Sequence, residues 1–459
     1  MNLTNRYTKD DLNNNKTRIK KILFFRVCGT GMGAAACLMK EAGYDIYGTD
    51  KDYFPPMSDY LEKRKIPRVP FESVSFSNFD LIVVGNVVPR LSDEAKSIEE
   101  SGIPFCSFPE LIGEYILKDR VVIGVSGTHG KTTTTYMLTQ MLEKMGKKPG
   151  YLIGGVLEGK ESSSLGSDDI FIIESDEYDT AYFEKTPKFI HYYIDHLIVT
   201  SLEYDHADIY SSITEIKNEF VRLAGQVDGK IVFNEDYKEI DFINRKESIS
   251  FGLNSSNGPI EINYDSQGVE FDLDGEKYKS NFFGTHNVLN LSACILLLRS
   301  LGVEKNILKT NSTEMKFAKR RQEHLGTING VSFFDDFAHH PTAMDLTIES
   351  FKQKFNEDLT IIFEPASATA RSNIFQDEFQ KVLEKANRVF LVAPLRSTSA
   401  RSAGDMDVES MAEKLTKKNV ITDFGGINEM RSFINNVTQG NVVFMSNGKL
   451  LGIKEELFK

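Results

Sequence analysis

The sequence predicts an α/β protein of three domains whose sheets are largely parallel. Short apolar runs rich in β-branched residues alternate with helical patterns from residue 22, again from residue 120 and again from residue 311. This alternation is typical of doubly wound sheets, and a length of 459 residues fits about three domains. We expect a Rossmann-like N-terminal domain (1–117), a central P-loop ATPase-like domain with a small antiparallel excursion (118–312) and a Rossmann-like C-terminal domain (313–459).

The first segment alternates strand and helix patterns. The polar residues 1–21 include three consecutive Asn and predict a frayed lead-in, without the apolar core of a signal peptide. The predicted elements are strands at 22–27, 44–48 and 81–84, a glycine turn at 28–34 and a helix at 35–42 that Gly43 ends.

The second segment has a strand pattern followed by shorter, turn-rich pieces. Strands are predicted at 121–125, 170–173 and 197–200. We interpret short strands at 230–233, 248–251, 260–264 and 269–273 as the antiparallel excursion, and we predict an amphipathic helix at 287–301. The third segment returns to an α/β pattern, with strands predicted at 330–334, 359–363, 388–392 and 441–445.

Composition narrows the class of partner. The net charge of −12 disfavours a nucleic-acid surface or an anionic membrane as a partner. The four cysteines lack metal-ligand spacing and predict free thiols in a reducing compartment. No apolar run approaches the length of a membrane span. We therefore expect a cytoplasmic protein, and the sequence does not fix its oligomeric state.

The most informative motif is the run Ser126-Gly-Thr-His-Gly-Lys-Thr-Thr-Thr-Thr135, which follows the apolar strand pattern at 121–125. Glycines let backbone N–H groups turn inward around an anion, and the helix that follows offers its positive N-terminus. In such loops Lys131 would reach the β- and γ-phosphates, and the Thr132 hydroxyl suits Mg²⁺. The motif predicts a nucleoside triphosphate site.

A second glycine turn lies near the N-terminus. Gly29, Gly31 and Gly33 follow the first strand, but position 34 is Ala, so the dinucleotide-binding pattern is incomplete. By itself the turn fits a tight strand-to-helix connection as well as a nucleotide site, for which NAD is one candidate ligand. Asp50 ends the second strand, where related folds hold a ribose hydroxyl.

Two acidic clusters follow strands of the central segment. The run 174–177 (Glu-Ser-Asp-Glu) follows one strand, and the run 203–208 (Glu-Tyr-Asp-His-Ala-Asp) follows another. Either run alone is more typical of a solvated loop. Because both follow strands next to a phosphate loop, we expect them at the edge of the sheet where ligands bind, with a carboxylate, an imidazole and Thr132 around Mg²⁺.

Three further polar motifs lie downstream. Residues 284–290 open a helix with polar capping types, and residues 319–323 carry an Arg pair. Residues 333–342 contain Asp335-Asp336-Phe-Ala-His339-His340-Pro-Thr. Zinc is disfavoured because no Cys or further His lies at zinc spacing from the histidine pair.

Taken together, these motifs resemble those of the Mur ligases, which build the peptide of bacterial cell-wall precursors. Three motifs occur in family order: the loop Gly-Thr-His-Gly-Lys-Thr-Thr-Thr, the 284–290 motif and the run Asp-Asp-Phe-Ala-His-His-Pro-Thr. The loop has two residues between its glycines, where the general P-loop has four. The resemblance runs from Ile22 through all three segments. It implies that the first domain holds the diphosphate of a UDP-sugar, the second holds ATP with Mg²⁺, and the third brings an amine.

The resemblance also assigns residues. For the UDP-sugar it implies Gly29, Thr30, Gly31, Met32, Gly33, Asp50 and Asn86. For ATP it implies Gly127, Thr128, His129, Gly130, Lys131, Thr132, Thr133, His286, Asn287, Asn290, Arg320, Arg321, Asp336 and His339. For the metal it implies Thr132, Glu174 and His206, and for catalysis Lys131, Glu174, His206 and Arg321. Several members carry a carbamylated lysine in the region of Lys217, which we do not assign.

Two activities within the family fit the chain. One adds L-alanine to UDP-N-acetylmuramate, and the other adds the recycled tripeptide L-alanyl-γ-D-glutamyl-meso-diaminopimelate. The stretch 174–192 resembles the tripeptide-adding members, in which Tyr stands at position 178 where the alanine-adding members typically have Ser. After Glu364-Pro365 the chain departs from the family pattern, and Arg371 is our candidate for a peptide carboxylate.

The resemblance implies a two-step reaction. ATP phosphorylates the lactyl carboxylate of UDP-N-acetylmuramate, and the peptide amine then displaces phosphate from the acyl phosphate. A nucleotide-binding protein that has lost this chemistry is the alternative from another class, although the joint presence of Lys131, Thr132, Glu174 and His206 argues against it. A folate-polyglutamate ligase would share the P-loop but lack the UDP-binding domain.

Overall fold

The computed structural model describes residues 1–243, 247–401 and 403–458. The described chain forms two compact units. The first comprises Met1–Leu202, Lys217–Asn257 and Asn290–Ser312, and the second comprises Glu203–Ile216, Gly258–Leu289 and Thr313–Lys459.

The first unit begins with a four-stranded parallel sheet, and three of its strands were predicted from the sequence. Its strands lie in the order Asp45–Thr49, Lys21–Phe25, Leu81–Val84 and Phe105–Ser107. The helices of this segment are Lys9–Asn15, Thr30–Glu41, Met57–Lys63, Asp93–Glu100 and Phe108–Ile112, the last continued by a π-helical turn at Gly113–Leu117, with 3₁₀ turns at Phe71–Ser73 and Phe76–Asn78.

The prediction of a frayed N-terminus is wrong. Thr8 and Asp11 form a capping box that starts the helix Lys9–Asn15, and Leu12 is fully buried. The amide of Tyr7 donates to the carbonyl of Phe105 at 2.8 Å, so the segment is joined to the edge of the sheet. Local capping and one buried apolar side chain outweigh the polar composition on which the prediction rested.

The start predicted for the helix at 35–42 is also wrong. The helix begins at Thr30 with Gly29 as its N-cap, so Gly31 and Gly33 lie inside the first turns. A Cβ atom at Gly33 would lie 2.2 Å from Sδ of Met57. This glycine is therefore explained by close packing against the neighbouring helix rather than by a turn.

A seven-stranded sheet forms the rest of the first unit's framework. Six neighbouring strands are parallel and the final edge strand is antiparallel. Their order is Ser248–Phe251, Ile231–Asn234, His196–Val199, Val121–Ser126, Ile170–Glu174, Gly150–Leu152 and Ser163–Ser164. Helices Lys131–Lys144 and Lys305–Asn311 belong to this unit, with 3₁₀ turns at Lys188–His191 and Lys238–Ile240 and a hairpin of Asp179–Ala181 with Glu184–Pro187. Helices Ile213–Gln226 and Thr285–Ser300 each begin in residues of the second unit and end in residues of the first.

Part of the predicted antiparallel excursion belongs to this parallel sheet. Strands Ile231–Asn234 and Ser248–Phe251 extend it with parallel register. Their short length and flanking turns suggested hairpins, but strand length does not determine direction. The helix predicted as amphipathic is also different, because residues 291–298 are all buried.

The second unit contains an antiparallel sheet and a mixed sheet. The three strands Ile260–Asp265, Gly268–Leu273 and Glu276–Ser280 are antiparallel, which confirms that part of the excursion. The mixed sheet has the order Glu323–Ile328, Val331–Asp336, Asn441–Met445, Leu359–Phe363, Arg388–Val392 and Ile421–Gly425, with only the first pair antiparallel. Its helices are Pro341–Lys354, Gln376–Leu383, Val408–Lys417, Ile427–Asn435 and Ile453–Leu457, with 3₁₀ turns at Asn373–Phe375 and Leu450–Gly452.

Both faces of the mixed sheet are covered by apolar side chains. Phe334 and Phe363 contribute to one buried cluster, whereas Phe333 and Phe444 contribute to the other. Successive strand residues point to opposite faces, so a nearly continuous apolar run fits a sheet that is buried on both sides. The polar residues that follow the apolar runs lie at the carboxyl ends of the strands, where doubly wound folds bind ligands.

The cysteines are free thiols, as their spacing predicted. All four cysteines are buried and form no disulfide with one another. In the described part of the chain, no helix combines the length and the apolar character that a membrane crossing requires.

Candidate functional site

The phosphate loop connects strand Val121–Ser126 to helix Lys131–Lys144. Gly127 and Gly130 have φ values of 133° and 84°. A Cβ atom at Gly127 would lie 2.3 Å from Oγ1 of Thr200, and one at Gly130 would lie 2.7 Å from Oδ1 of Asn290. Both the backbone conformation and the close approach of neighbours require glycine at these two positions.

A neighbouring strand end holds the loop in shape. Ser201 follows strand His196–Val199 and accepts a hydrogen bond from the amide of His129 to its Oγ at 2.7 Å. The amide of Thr128 donates to the carbonyl of Ser201 at 3.3 Å. Sequence reasoning did not single out Ser201, although its place directly after a predicted strand was a usable signal.

The Lys131 side chain lies across the loop. Its Nζ donates to the carbonyl oxygen of Gly127 at 2.6 Å and to both carboxylate oxygens of Glu177 at 3.0 and 2.8 Å. Burial alone would lower the pKa of Lys131, but Glu177, Asp176 and Glu174 outweigh it and raise the pKa above the ordinary value. Lys131 therefore stays a cation inside the protein.

Glu174 lies beside the start of the same helix. It is paired in register with Val125, the residue before Ser126, on the neighbouring strand. Oγ1 of Thr132 donates to Oε1 of Glu174 at 3.0 Å, and the amide of Gly154 donates to Oε2 at 2.8 Å. Burial raises the pKa of Glu174, and Lys131 opposes that rise.

The oxygen donors at this position fit a hard divalent cation. A threonine hydroxyl and a carboxylate lie within hydrogen-bond distance of each other, next to a phosphate-binding loop. Mg²⁺ is bound by oxygen ligands, with one or two carboxylates completed by phosphates and water. The predicted association of Thr132 and Glu174 is thus compatible with Mg²⁺ within the first unit.

The N-terminal glycine turn forms a second candidate position in the first unit. Gly29 caps the helix, so Thr30 and Met32 lie in its first turn. The Asp50 carboxylate accepts a hydrogen bond from the amide of Cys28 at 2.8 Å and pairs with Arg26 at 3.2 Å. Asp50 therefore holds the glycine turn in place, a contact that the sequence did not predict.

Asn86 follows strand Leu81–Val84 and is half-buried. The carboxyl ends of parallel strands meet at one edge of a sheet, and ligands of doubly wound folds bind there. The strand that precedes the glycine turn is the direct parallel neighbour of Leu81–Val84. The structure therefore puts Asn86 on the same edge as the glycine turn.

In the second unit the two neighbouring arginines have different surroundings. Arg320 donates to the carbonyls of Ser446 and Gly448, and its guanidinium lies 3.3 Å from the carboxylate of Asp335. These contacts give Arg320 a structural role, and its predicted contact with ATP stays a prediction. The Arg321 guanidinium lies 5.1 Å from the centre of the Phe337 ring.

Asp336 is buried and His286 is half-buried, and both interact electrostatically with Arg321. The amides of Gln322 and Ala338 each donate to the Asp336 carboxylate at 2.8 Å. Burial raises the pKa of Asp336, with Arg321 opposing the rise. Burial first and Arg321 second lower the pKa of His286 to about 4, so this imidazole is neutral at pH 7.

The amides predicted from the 284–290 motif have separate roles. Nδ2 of Asn287 donates to the carbonyl of Phe283 at 2.9 Å, which joins the first turn of the helix to the segment that precedes it. Asn290 lies next to Gly130 in the first unit, as described above. Asn290 therefore lies at the phosphate loop of the first unit. Asn287, by contrast, belongs to the second unit.

The loop that carries His206 also belongs to the second unit. His206 has a φ of 55°, and the next amide, that of Ala207, donates to Oγ1 of Thr369 at 3.1 Å. The Asp205 carboxylate lies 3.9 Å from Nε2 of His339, whose Nδ1 donates to the carbonyl of Phe337 at 2.8 Å.

Asp205 carries a charge inside this histidine-rich group. Burial would raise its pKa, but the imidazoles of His206, His339 and His340 hold the pKa well below its usual range. The carboxylate is therefore ionised, and it fixes the loop that presents His206. The sequence run 203–208 was predicted as a site, but Asp205 itself was not assigned.

Two remaining side chains were named from the sequence. Arg371 is 6% exposed and donates to the carbonyl of Ala366, and among the described residues its Nε has no hydrogen-bond partner. Burial lowers its pKa, and Arg396 adds to the effect. The Lys217 amine lies 2.5 Å from the carboxylate of Asp241.

Comparison with protein families gives three matches in the order of the chain. The Mur ligase family catalytic domain matches residues 21–120, the Mur ligase middle domain matches 125–298, and the Mur ligase glutamate ligase domain matches 320–447. These matches confirm the family resemblance predicted from the motifs.

Named relatives fall into the two activities considered above. The chain is 37% identical over 393 residues, 82% of its length and 85% of the relative's, to the UDP-N-acetylmuramate–L-alanyl-gamma-D-glutamyl-meso-2,6-diaminoheptandioate ligase of Escherichia coli. It is 30% identical over 447 residues, 95% of its length and 94% of the relative's, to the UDP-N-acetylmuramate–L-alanine ligase of Streptococcus mutans. Among solved structures it resembles a murein peptide ligase of Psychrobacter arcticus, with a TM-score of 0.72, 28% identity and coverage of 95% and 98%.

Proposed function

Because the chain belongs to the Mur ligase family, we propose that it joins the tripeptide L-alanyl-γ-D-glutamyl-meso-diaminopimelate to UDP-N-acetylmuramate, using ATP. Membership makes it an ATP-dependent ligase that forms an amide bond. One observation supports the tripeptide as the acceptor. The chain is 37% identical to the relative named for this tripeptide and 30% identical to the relative named for L-alanine. The 174–192 stretch supports the same choice. The reaction would recycle murein peptides in the cytoplasm.

Each predicted domain has one task in this proposal. Residues 1–117 would bind the UDP-sugar at the glycine turn and Asn86, and residues 118–312 would bind ATP at the phosphate loop. Residues 313–459 would bring the peptide, with Arg371 as the anchor for a carboxylate. Separate domains suit a reaction in which an acyl phosphate must be kept from water until the amine attacks.

The chemistry needs positive charge more than it needs a protein nucleophile. The γ-phosphoryl group passes from ATP to the lactyl carboxylate, which leaves ADP and an acyl phosphate. The peptide amine then attacks the acyl carbon, the C–N bond forms, phosphate leaves and the amine loses a proton. Lys131 would offset the charge of the transferred group, since electrostatic stabilisation and positioning dominate phosphoryl transfer. Arg321 is assigned to the same charge by the family resemblance.

Mg²⁺ would be held by Thr132 and Glu174, whose oxygens suit it. The family resemblance adds His206 to these ligands, and that assignment stays a prediction. When bound, the ion supplies charge neutralisation to the phosphates. The protein's own contribution is to hold Glu174 against Thr132 and to keep Lys131 charged at the loop.

A substrate panel tests the proposal. We would supply UDP-N-acetylmuramate and ATP with L-alanine, the tripeptide or a tetrapeptide, and read the mass of the UDP product. Product with the tripeptide at far higher kcat/KM than with L-alanine supports the proposal. A preference for L-alanine would move the chain to the alternative activity. Absence of phosphate release with every acceptor would favour a protein that binds nucleotide without turnover.

A further inference from the structure

The lysine of the phosphate loop, Lys131, forms an ion pair with the buried carboxylate of Glu177. Its carboxylate accepts two hydrogen bonds from Nζ of Lys131, and its side chain is 2% exposed, against 13% for Lys131. The same ammonium group also donates to the carbonyl oxygen of Gly127 at 2.6 Å. An ammonium group has three donors, so these internal acceptors match its full capacity.

A phosphate that binds Lys131 must therefore displace or share this carboxylate. Whichever occurs, an anionic phosphate is brought close to the buried charge of Glu177. Like charges that are shielded from water repel each other more strongly than charges at the surface. Glu174, whose carboxylate faces Thr132, adds a second negative charge on the same side of the loop.

A divalent cation would relieve this repulsion. A nucleotide that carries Mg²⁺ has two fewer negative charges than the free nucleotide, so it meets less opposition from Glu177. We propose that Glu177 makes the phosphate loop selective for the metal-complexed nucleotide, while it also holds Lys131 across the loop. This inference rests on the ATP site of the proposed function and assigns a residue that the family resemblance left unassigned.

The chain supplies a matched control. Glu143 lies on the same helix as Lys131, twelve residues further on, which is about 18 Å along the axis. It pairs with Lys160 at the surface. Glu143→Gln removes the same charge as Glu177→Gln, without touching the loop.

The experiment measures the Kd of ATP for the full chain by calorimetry, with EDTA and again with excess Mg²⁺. The wild-type protein should bind ATP at least about tenfold more tightly with Mg²⁺. In Glu177→Gln this ratio should fall about tenfold, because metal-free ATP binds more tightly. Glu177→Asp, which retains the charge, and Glu143→Gln should both keep the wild-type ratio.

The other outcomes decide against the inference. An unchanged ratio in Glu177→Gln overturns it, and so does a wild-type protein that binds both forms equally. A ratio that falls because binding with Mg²⁺ weakens would identify Glu177 as a metal ligand instead. If Glu177→Gln does not fold, the ratio of the two ATP Kd values is measured in Glu177→Ala and compared with that of the wild-type protein, and the same outcomes decide. Absence of binding in both conditions would overturn the nucleotide site itself, whereas binding with an unchanged ratio overturns only the role of Glu177.

Discussion

The Thr132 hydroxyl donates a hydrogen bond to Oε1 of Glu174 at 3.0 Å. Thr132 lies in the first turn of helix Lys131–Lys144, and Glu174 ends a strand that pairs with the strand leading into the phosphate loop. A hydroxyl from the loop and a carboxylate from the next strand are thus held together by the sheet. This arrangement is the structural basis of the metal assignment.

Glu174→Ala and His206→Ala should each raise the Mg²⁺ requirement of the reaction. Both side chains are expected to contribute a ligand atom, and loss of one ligand weakens an ion that the others still hold. The measurement is the rate as a function of Mg²⁺ concentration at saturating substrates. Glu143→Gln serves as the control for a change in charge. If the Mg²⁺ concentration that gives half the maximal rate is unchanged in both variants, these residues do not belong to the metal site.

Lys131→Ala should lower turnover at least about a hundredfold while the fold is kept. Its ammonium group is aimed at the loop and should meet charge that grows in the transition state. The measurement is kcat for phosphate release and for UDP-product formation, with circular dichroism to follow the fold. Ligation near the wild-type rate would contradict the assignment of the phosphate loop.

The phosphate loop was predictable from sequence because its residues are consecutive. The strand Val121–Ser126, the glycines and Lys131 all lie within the continuous segment 121–131, and local chemistry determines its conformation. The same holds for Glu174, since a carboxylate directly after a parallel strand has to lie at the carboxyl edge of the sheet.

Contacts between distant residues were not predictable in this way. The pairing of Glu177 with Lys131 joins positions 46 residues apart, and that of Asp205 with His339 joins positions further apart still. No local pattern specifies which of several acidic residues in a run will reach a given cation. The ordered N-terminus was missed for the same reason, because its anchor, the edge strand at 105–107, is distant in sequence.

Arg6→Ala should destabilise the protein. The Arg6 guanidinium lies 3.0 Å from the carboxylate of Glu110 and 2.9 Å from that of Glu184. Removing it leaves the buried Glu110 without its cation, which costs on the order of 3 kcal/mol. The measurement is the free energy of unfolding in urea. Arg431→Ala is a matched control, because Arg431 pairs with Glu456 at the surface and its loss should leave the unfolding midpoint unchanged. Equal effects of the two variants would contradict a structural role for Arg6.

Glu184 should make stability depend on pH in the acidic range. Burial would raise its pKa, but His191, Thr186 and Arg6 lower it to about 2 in the folded protein, from an ordinary value of 4.5. Because the folded value is depressed, this contribution is complete above about pH 4.5 and is lost as the pH falls towards 2. Glu184→Gln should therefore flatten the decline of unfolding free energy over this window. An identical decline in the variant and the wild-type protein would contradict the prediction.

Arg371→Ala should impair use of the peptide more than use of the two nucleotides. A tripeptide carries carboxylates remote from its reacting amine, and binding energy from such groups can position the amine for attack. No residue in the described part of the chain forms a hydrogen bond with Nε of Arg371, which leaves capacity for an anion, although the side chain is 6% exposed. We expect KM for the tripeptide to rise at least about tenfold, with KM for ATP and for UDP-N-acetylmuramate within about twofold of the wild-type values. The activity with L-alanine, which lacks the remote carboxylates, should change little. A uniform rise in all three KM values, together with a lower unfolding midpoint, would show that Arg371 supports the fold instead.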